Sequence, residues 1–239
     1  MSSPRDHPVV SHAEWTAART QLLDAEKAFT RARDELTRRQ RALPWELIET
    51  PYVFVGERGE ESLADLFAGR SQLVVYHFMF PPEASVGCPI CSFWADNFNP
   101  VVPHLAQRDV TLIAVSRAPY AKLAAYRARM GWTFTWVSSG DSTFNYDLQA
   151  SFTEDEVASK RALYNFRVQD PGETDREGVS VFFRSDDGLI HHTYSSYARG
   201  IDLLNTAYNY LDLVPKGRDE AGRGPFWVLR HDEYGRPHR

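Results

Sequence analysis

Residues 72–98 read QLVVYHFMFPPEASVGCPICSFWADNF, and the character of the chain changes three times within them. The first nine residues are a nearly continuous apolar run, rich in Val and aromatics and too short to span a membrane. Such a run predicts a strand covered on both faces, as in a parallel sheet. Pro81, Pro82 and Gly87 then predict a loop. The chain's only two cysteines follow, Cys88 and Cys91. Beyond them Phe93, Trp94, Phe98, Val101, Val102 and Leu105 keep a helical period, and Pro100 is expected to kink or restart that helix.

Working outward toward the C-terminus, VTLIAVSR (110–117) reads as a second buried strand. APYAKLAAYRARMG (118–131) reads as a helix with Pro119 near its first turn and Gly131 at its C-terminal cap. TFTWV (133–137) reads as a third strand. Strand, helix, strand, helix, strand predicts a parallel α/β core with right-handed crossovers. Thr153 and Glu156 have capping-box spacing and predict a short helix from 153 to about 163. QDPGETDREG (169–178) is loop by composition, and VSVFFRSDDGLIHHTYSSY (179–197) reads as a hairpin around Asp187-Gly188. Ile201, Leu204, Tyr208 and Leu211 predict a closing helix with one buried face. Phe226 and Trp227 are expected to tie down a polar tail.

Toward the N-terminus, YVFVGERGEESLADLFAG (52–69) reads as a short strand, a turn and a short helix. Residues 11–43 predict one long helix, with Ser11 and Glu14 as a capping box and Asp34/Arg38 and Glu35/Arg39 as favourable i,i+4 pairs. Trp15, Leu22, Phe29, Leu36 and Leu43 recur every seven residues, with Ala18, Ala25 and Ala32 at the complementary spacing. Two readings of this stripe stand: it lies on the body of its own chain, or it forms a homodimer seam. The expected organisation is a helical extension (1–50), a core domain (51–214) with an insertion at about 150–177, and a tail (215–239).

The 239 residues are 43% hydrophobic and 25% charged, which predicts a folded core. A formal net charge of −5 gives no basic footprint for nucleic acid. The start MSSPRDHPVV lacks the apolar segment of a secretory signal, and no apolar run reaches membrane-span length, so a cytoplasmic protein with no membrane partner is expected. In that compartment a close cysteine pair points to cycling redox chemistry or a metal rather than a permanent disulfide. A metal site needs further ligands, and His77, His104, His191 and His192 show no ligand spacing to the cysteines. No metal or cofactor is therefore assigned. The Arg38, Arg39 and Arg41 cluster reads as a charge complement to a helix C-terminus.

On the predicted scaffold Cys88 falls at a helix N-cap, Pro89 at N1 and Cys91 at N3. The free N–H groups of a first turn and the helix dipole favour negative charge on the Cys88 sulfur, a route to a thiolate nucleophile. Cys91, one turn in, suits attack on a mixed disulfide formed by Cys88. His77 is the lone titratable group in its apolar strand. It reads either as a hydrogen-bonded core histidine or as the proton acceptor for Cys91.

GCPIC after an apolar strand, followed by a Pro-interrupted helix, a strand and later a hairpin plus helix, resembles a thioredoxin-type oxidoreductase. More closely, YHFMF, GCPICSFWADNFNP, TLIAVSRAP, GVSVFFR and AYNYLDLVPKGRDE are similar to a bacterial thioredoxin-like family of unknown function, predicted to act as dithiol–disulfide oxidoreductases. The likeness spans nearly the whole chain, including the N-terminal helix and the HDEY tail. It implies a thioredoxin-like fold, in three layers, with Cys88 and Cys91 as the redox pair and a protein or small-molecule thiol or disulfide as substrate. Residues 110–150 are similar to peroxiredoxins, but that group's Thr-x-x-Cys pattern is absent, Ser85 standing three before Cys88. Ordinary thioredoxins carry Gly-Pro between the cysteines; Pro89-Ile90 is closer to glutaredoxins and periplasmic oxidases. They also place a cis-proline just before the hairpin, where this chain has Gly178 and Val179. Two alternatives stay open: a thiol peroxidase using Cys88, and a binding scaffold with inert cysteines.

Overall fold

The apolar runs become the inner strands of one sheet. A computed structural model describes residues 7–235; the first six and last four residues, the outer ends of the expected extension and tail, lie outside them. In chain order the elements are α1 (His12–Arg41), β1 (Glu46–Leu47), β2 (Val53–Gly56), β3 (Gly59–Ser62), α2 (Leu63–Leu66), β4 (Gln72–His77), α3 (Pro89–Ala95), α4 (Phe98–Ala106), β5 (Val110–Ser116) and α5 (Tyr120–Arg129). They continue with β6 (Thr135–Ser138), α6 (Phe144–Asp147), α7 (Glu154–Ser159), β7 (Ala162–Tyr164), β8 (Arg167–Gln169), β9 (Gly178–Arg184), β10 (Ile190–Tyr197), a 3-10 segment (Ala198–Leu204) and α8 (Thr206–Leu211).

The main sheet has the order β1-β10-β9-β4-β5-β6-β2-β3. β4, β5 and β6 run parallel, with Val75 opposite Ile113 and Val115 opposite Val137. β9 joins the other side of β4 antiparallel, and β10 returns along it. A parallel βαβαβ core, an antiparallel hairpin on the far side of its first strand and a closing helix make the fold α/β, three-layered and thioredoxin-like. The sheet separates two apolar layers. Tyr76, Leu112, Ala114 and Trp136 pack with Cys91, Trp94, Phe98, Leu123 and Tyr126 of α3, α4 and α5. Leu73, Val75, Ile113, Val115 and Val137 pack on the opposite face with Leu63 and Leu66 of α2 and Phe144 of α6. Alternation along strands buried on both faces produces this partition.

Helix boundaries follow local chemistry. Ser11/Glu14 and Thr153/Glu156 both form the expected capping boxes. Gly131, at φ +65°, terminates α5. The helix after the cysteines is two helices, α3 and α4, and the break at Asp96-Asn97 precedes Pro100. A proline at position 100 cannot donate to the carbonyl four residues back, that of Asp96, so the α-ladder fails there. The expected helix over 201–213 is likewise divided, because Asn205 closes the 3-10 segment and caps α8 with its side chain on the Tyr208 N–H at 3.2 Å. Residues 53–62, read as one strand and a turn, form a β2–β3 hairpin.

The first reading of the N-terminal stripe needs correction. α1 has no buried residue, and Trp15, Leu22, Phe29 and Leu36 are 56%, 55%, 69% and 57% exposed. The stripe does not lie on the body of its own chain. Glu35 pairs with Arg38 and with Arg39, so Arg38 bonds three residues back to Glu35 rather than four back to Asp34. In the tail Trp227 packs edge-on against Phe93 at 5.4 Å, whereas Phe226 stays exposed beside Arg223.

Candidate functional site

The loop from β4 to α3 is fixed at several points before it delivers Cys88. The Ala118 N–H donates to the Phe80 carbonyl at 2.8 Å, and the Cys88 N–H to the Met79 carbonyl at 3.3 Å. Lys122 Nζ donates to the carbonyls of Pro82 and Ala84. Arg230, from the tail, donates to the Gly87 carbonyl at 2.7 Å and to Tyr126 Oη at 2.9 Å. Gly87 leaves no room for a side chain: a Cβ there would lie 2.8 Å from the Phe78 ring and 2.9 Å from that of Tyr126. Sequence reading missed Arg230, for a single arginine in a polar tail carries no signal of what it will reach.

Cys88 is the N-cap of α3, with Pro89 in the first turn. Its Sγ accepts the Cys91 N–H at 3.5 Å. The Cys91 thiol donating to it holds the Cys88 thiol below its usual pKa; burial opposes this, and the N–H groups of Cys91 and Ile90 assist. Cys91 has the reverse setting. It is fully buried, and burial, then the neighbouring Cys88, push its thiol well up, although the Met79 N–H reaches its Sγ at 3.4 Å. Two thiols one helical turn apart thus differ in ionisation because one sits at the helix mouth and the other inside the core. Both are free thiols, Cys88 half-buried. Ser92 secures the turn, bonding the Cys88 carbonyl at 2.8 Å and Tyr126 Oη at 2.9 Å.

His77 is not brought to the cysteines. β4 is buried on both sides, and His77 projects to the face opposite Cys91, where its ring lies 5.7 Å from that of Phe144 and its Nε2 meets Ser180 Oγ at 2.9 Å. Burial lowers its pKa to about 3, so it is neutral near pH 7. The residue that faces Cys91 is its predecessor, Tyr76. Its hydroxyl is buried with no partner at full hydrogen-bond geometry, its pKa is raised by burial, and the charge and hydrogen-bonding reach of Cys91 raise it further.

Cys88 opens on a cleft of ≈ 640 Å³ whose walls include Met79, Val86, Ile90, Trp94 and Glu177. Glu177 is half-buried, and its negative charge acts on both cysteines, raising both pKa values. It immediately precedes Gly178, which pairs with His77 across β4 and β9. A Cβ at Gly178 would meet the Tyr197 ring at 2.5 Å, so Tyr197 occupies the space that a side chain at this position needs. Among the described residues there is no cis peptide bond. Neither is there a cluster of three or more His, Cys, Asp or Glu able to hold a metal ion. His192 instead bonds Ser195 Oγ at 2.7 Å and Glu46 at 3.2 Å. No helix of the described residues is long and apolar enough to cross a membrane.

Residues 4–234 match the model of a family described as "Bacterial protein of unknown function (DUF899)". No curated protein matches the sequence. Among solved structures, a peroxiredoxin Q variant of Xanthomonas campestris is similar at 16% identity and TM-score 0.48, over 70% of this chain and 95% of that one. The peroxidoxin BcpB of Mycobacterium tuberculosis is similar at 13% identity and TM-score 0.45, over 68% and 93%. The mitochondrial 2-Cys peroxiredoxin of Plasmodium falciparum is similar at 13% identity and TM-score 0.39, over 74% and 95%.

Proposed function

The chain belongs to the bacterial family of unknown function DUF899, and we propose that it acts as a dithiol–disulfide oxidoreductase. The observation that carries this reading is the placement of two free thiols one helical turn apart, Cys88 half-buried at the helix N-cap and open to the cleft, Cys91 buried in the core behind it. The Cys88 thiolate attacks one sulfur of a substrate disulfide, and the other substrate sulfur leaves as a thiolate that takes up a proton. Cys91 then loses its proton and its sulfur attacks Cys88 Sγ, releasing the second substrate thiol and leaving a Cys88–Cys91 disulfide. One substrate disulfide is reduced to two thiols as the two cysteines are oxidised; run backwards, the same steps oxidise a substrate dithiol. As negative charge develops on Cys91, the unpartnered Tyr76 hydroxyl supplies a donor inside the core. Of the charged groups on the cleft wall, Glu177 is the one whose charge is felt at both cysteines, which makes it the candidate to take the Cys91 proton.

Two variants test the reading. Cys91→Ser traps a mixed disulfide on Cys88 with substrate, and Cys88→Ser traps none. Wild-type protein treated with a mild oxidant loses both free thiols and stays monomeric on a non-reducing gel. Thiols that persist under oxidation refute the dithiol mechanism. Rapid Cys88-dependent loss of hydrogen peroxide would favour the peroxidase alternative.

A further inference from the structure

The open stripe of α1 carries a second inference, independent of the redox chemistry. A helix of 30 residues without one buried side chain has little tertiary support, its one hydrogen bond to the sheet running from Gln40 Nε2 to Tyr194 Oη at 3.0 Å. Its apolar positions nonetheless follow a strict heptad. Trp15, Leu22, Phe29 and Leu36 occupy one seam position, and Ala18, Ala25 and Ala32 the other, all exposed. Large and small residues alternate along a single seam.

That alternation selects a partner and a direction. In a parallel pair identical positions meet, so Trp15 abuts Trp15 and Phe29 abuts Phe29 in crowded layers separated by empty Ala–Ala layers. In an antiparallel pair the two seam positions meet each other. Aligned so that facing residue numbers sum to a constant, Trp15 faces Ala32 of the second copy, Leu22 faces Ala25 and Phe29 faces Ala18. Trp15, Leu22 and Phe29 each then fill the space above an alanine, Leu36 comes to Ser11 at the end of the partner helix, and the twofold axis passes between Leu23 and Asp24. Arg19 and Glu26, which flank the seam and pair within the helix at 2.8 Å, come opposite Glu26 and Arg19 of the second copy. Glu14 and Glu35 approach on the other flank, each already compensated, Glu14 by the Ser11 capping box and Glu35 by Arg38 and Arg39. Opposed helix dipoles also favour this direction. We infer that the protein is a homodimer joined by an antiparallel α1–α1 coiled coil in this register.

The full-length chain tests this. Light scattering is expected to give about twice the 27.3 kDa chain mass. The double variant Leu22→Glu/Phe29→Glu should be monomeric, with the urea unfolding of the sheet domain unchanged because neither position is buried in it, and with any loss of helical signal confined to an α1 that has lost its partner. Direction is read by cross-linking with a short bis-maleimide in a Cys88→Ser/Cys91→Ser background. In the antiparallel register two Ala25→Cys sites lie about 5 Å apart along the axis, two Ala18→Cys sites about 16 Å and two Ala32→Cys sites about 26 Å. Efficient cross-linking of Ala25→Cys alone supports the inference. Equal cross-linking of all three indicates a parallel pair and overturns it, as does a monomeric wild-type chain, which would leave α1 for a different partner.

Discussion

Arg117 and Asp175 make the most demanding stability prediction. Their side chains are 12% and 5% exposed and meet at 2.7 Å. The same carboxylate oxygen accepts from Ser151 Oγ at 2.8 Å, while the other has no partner. Burial raises the Asp175 pKa above its ordinary value even though Arg117 and Ser151 pull it down. Replacing Arg117 by Met keeps an unbranched stem, removes the counter-charge and leaves a buried carboxylate uncompensated. Removing one partner of a buried pair costs about 3–5 kcal/mol, so Arg117→Met is expected to lose about 3 kcal/mol near neutrality. The sign of the pH dependence follows from the direction of the shift. A folded-state pKa above the unfolded value means that ionised Asp175 costs stability at pH above both values, and the cost is relieved as pH falls and the carboxyl protonates. Loss of Arg117 raises the folded pKa further, so the deficit against wild type should narrow on going from neutrality toward about pH 5. Adding Asp175→Asn should recover part of it at neutral pH. Urea unfolding followed by tryptophan fluorescence measures all three. A deficit that does not change with pH, or one below about 1 kcal/mol, the range of an exposed pair, would refute the reasoning. The pair matters to the site because Asp175 anchors the segment that brings Glu177 to the cleft.

Three further outcomes are expected. Gly178→Ala forces a Cβ into the Tyr197 ring at 2.5 Å, and overpacking of this kind costs about 1–3 kcal/mol, read as a lowered Tm; an unchanged Tm would mean that Tyr197 moves freely. Tyr76→Phe removes a buried hydroxyl that has no partner, so stability should change by less than about 1 kcal/mol while disulfide closure by Cys91 slows in stopped-flow; a loss well above that figure would reveal a hydrogen bond already in place. His77→Gln should leave the pH profile of Cys91 alkylation in unfrozen native protein unaltered, because the ring lies across the sheet; a shifted profile would contradict that placement.

The Cys88–Cys91 motif was legible because its signals are local. Pro89 after Cys88 marks the first turn, and the capping boxes at Ser11 and Thr153 mark helix starts within four residues. The βαβαβ order was legible because strand and helix periods differ. The facing of His77 was not, since β4 is apolar on both sides and offers no polar alternation to say which residue points where. For that reason His77, readable as a core histidine or as a proton acceptor, draws attention in the sequence where Tyr76 does not. Glu177 was missed because its role depends on β9 lying against β4. The division at Asn205 was hidden by apolar spacing that continues across it. The exposure of α1 was equally invisible, for a heptad stripe reads the same whether it covers its own chain or awaits another.

The placement of β9 has a consequence for how the protein reaches its working state. β4 through β6, with the cysteines between them, occupy one continuous stretch, residues 72–138. The β9 pairing that brings Glu177 to the cleft sets Gly178 opposite His77, and on the other face it bonds His77 to Ser180, 103 positions away. Closing so long a loop is entropically costly and slow compared with local pairing. The nascent chain therefore presents its two thiols before the wall that selects what they meet. With only two cysteines in the sequence, an oxidant arriving in that interval has one intramolecular bridge to make, Cys88 to Cys91, and mispairing within the chain is impossible.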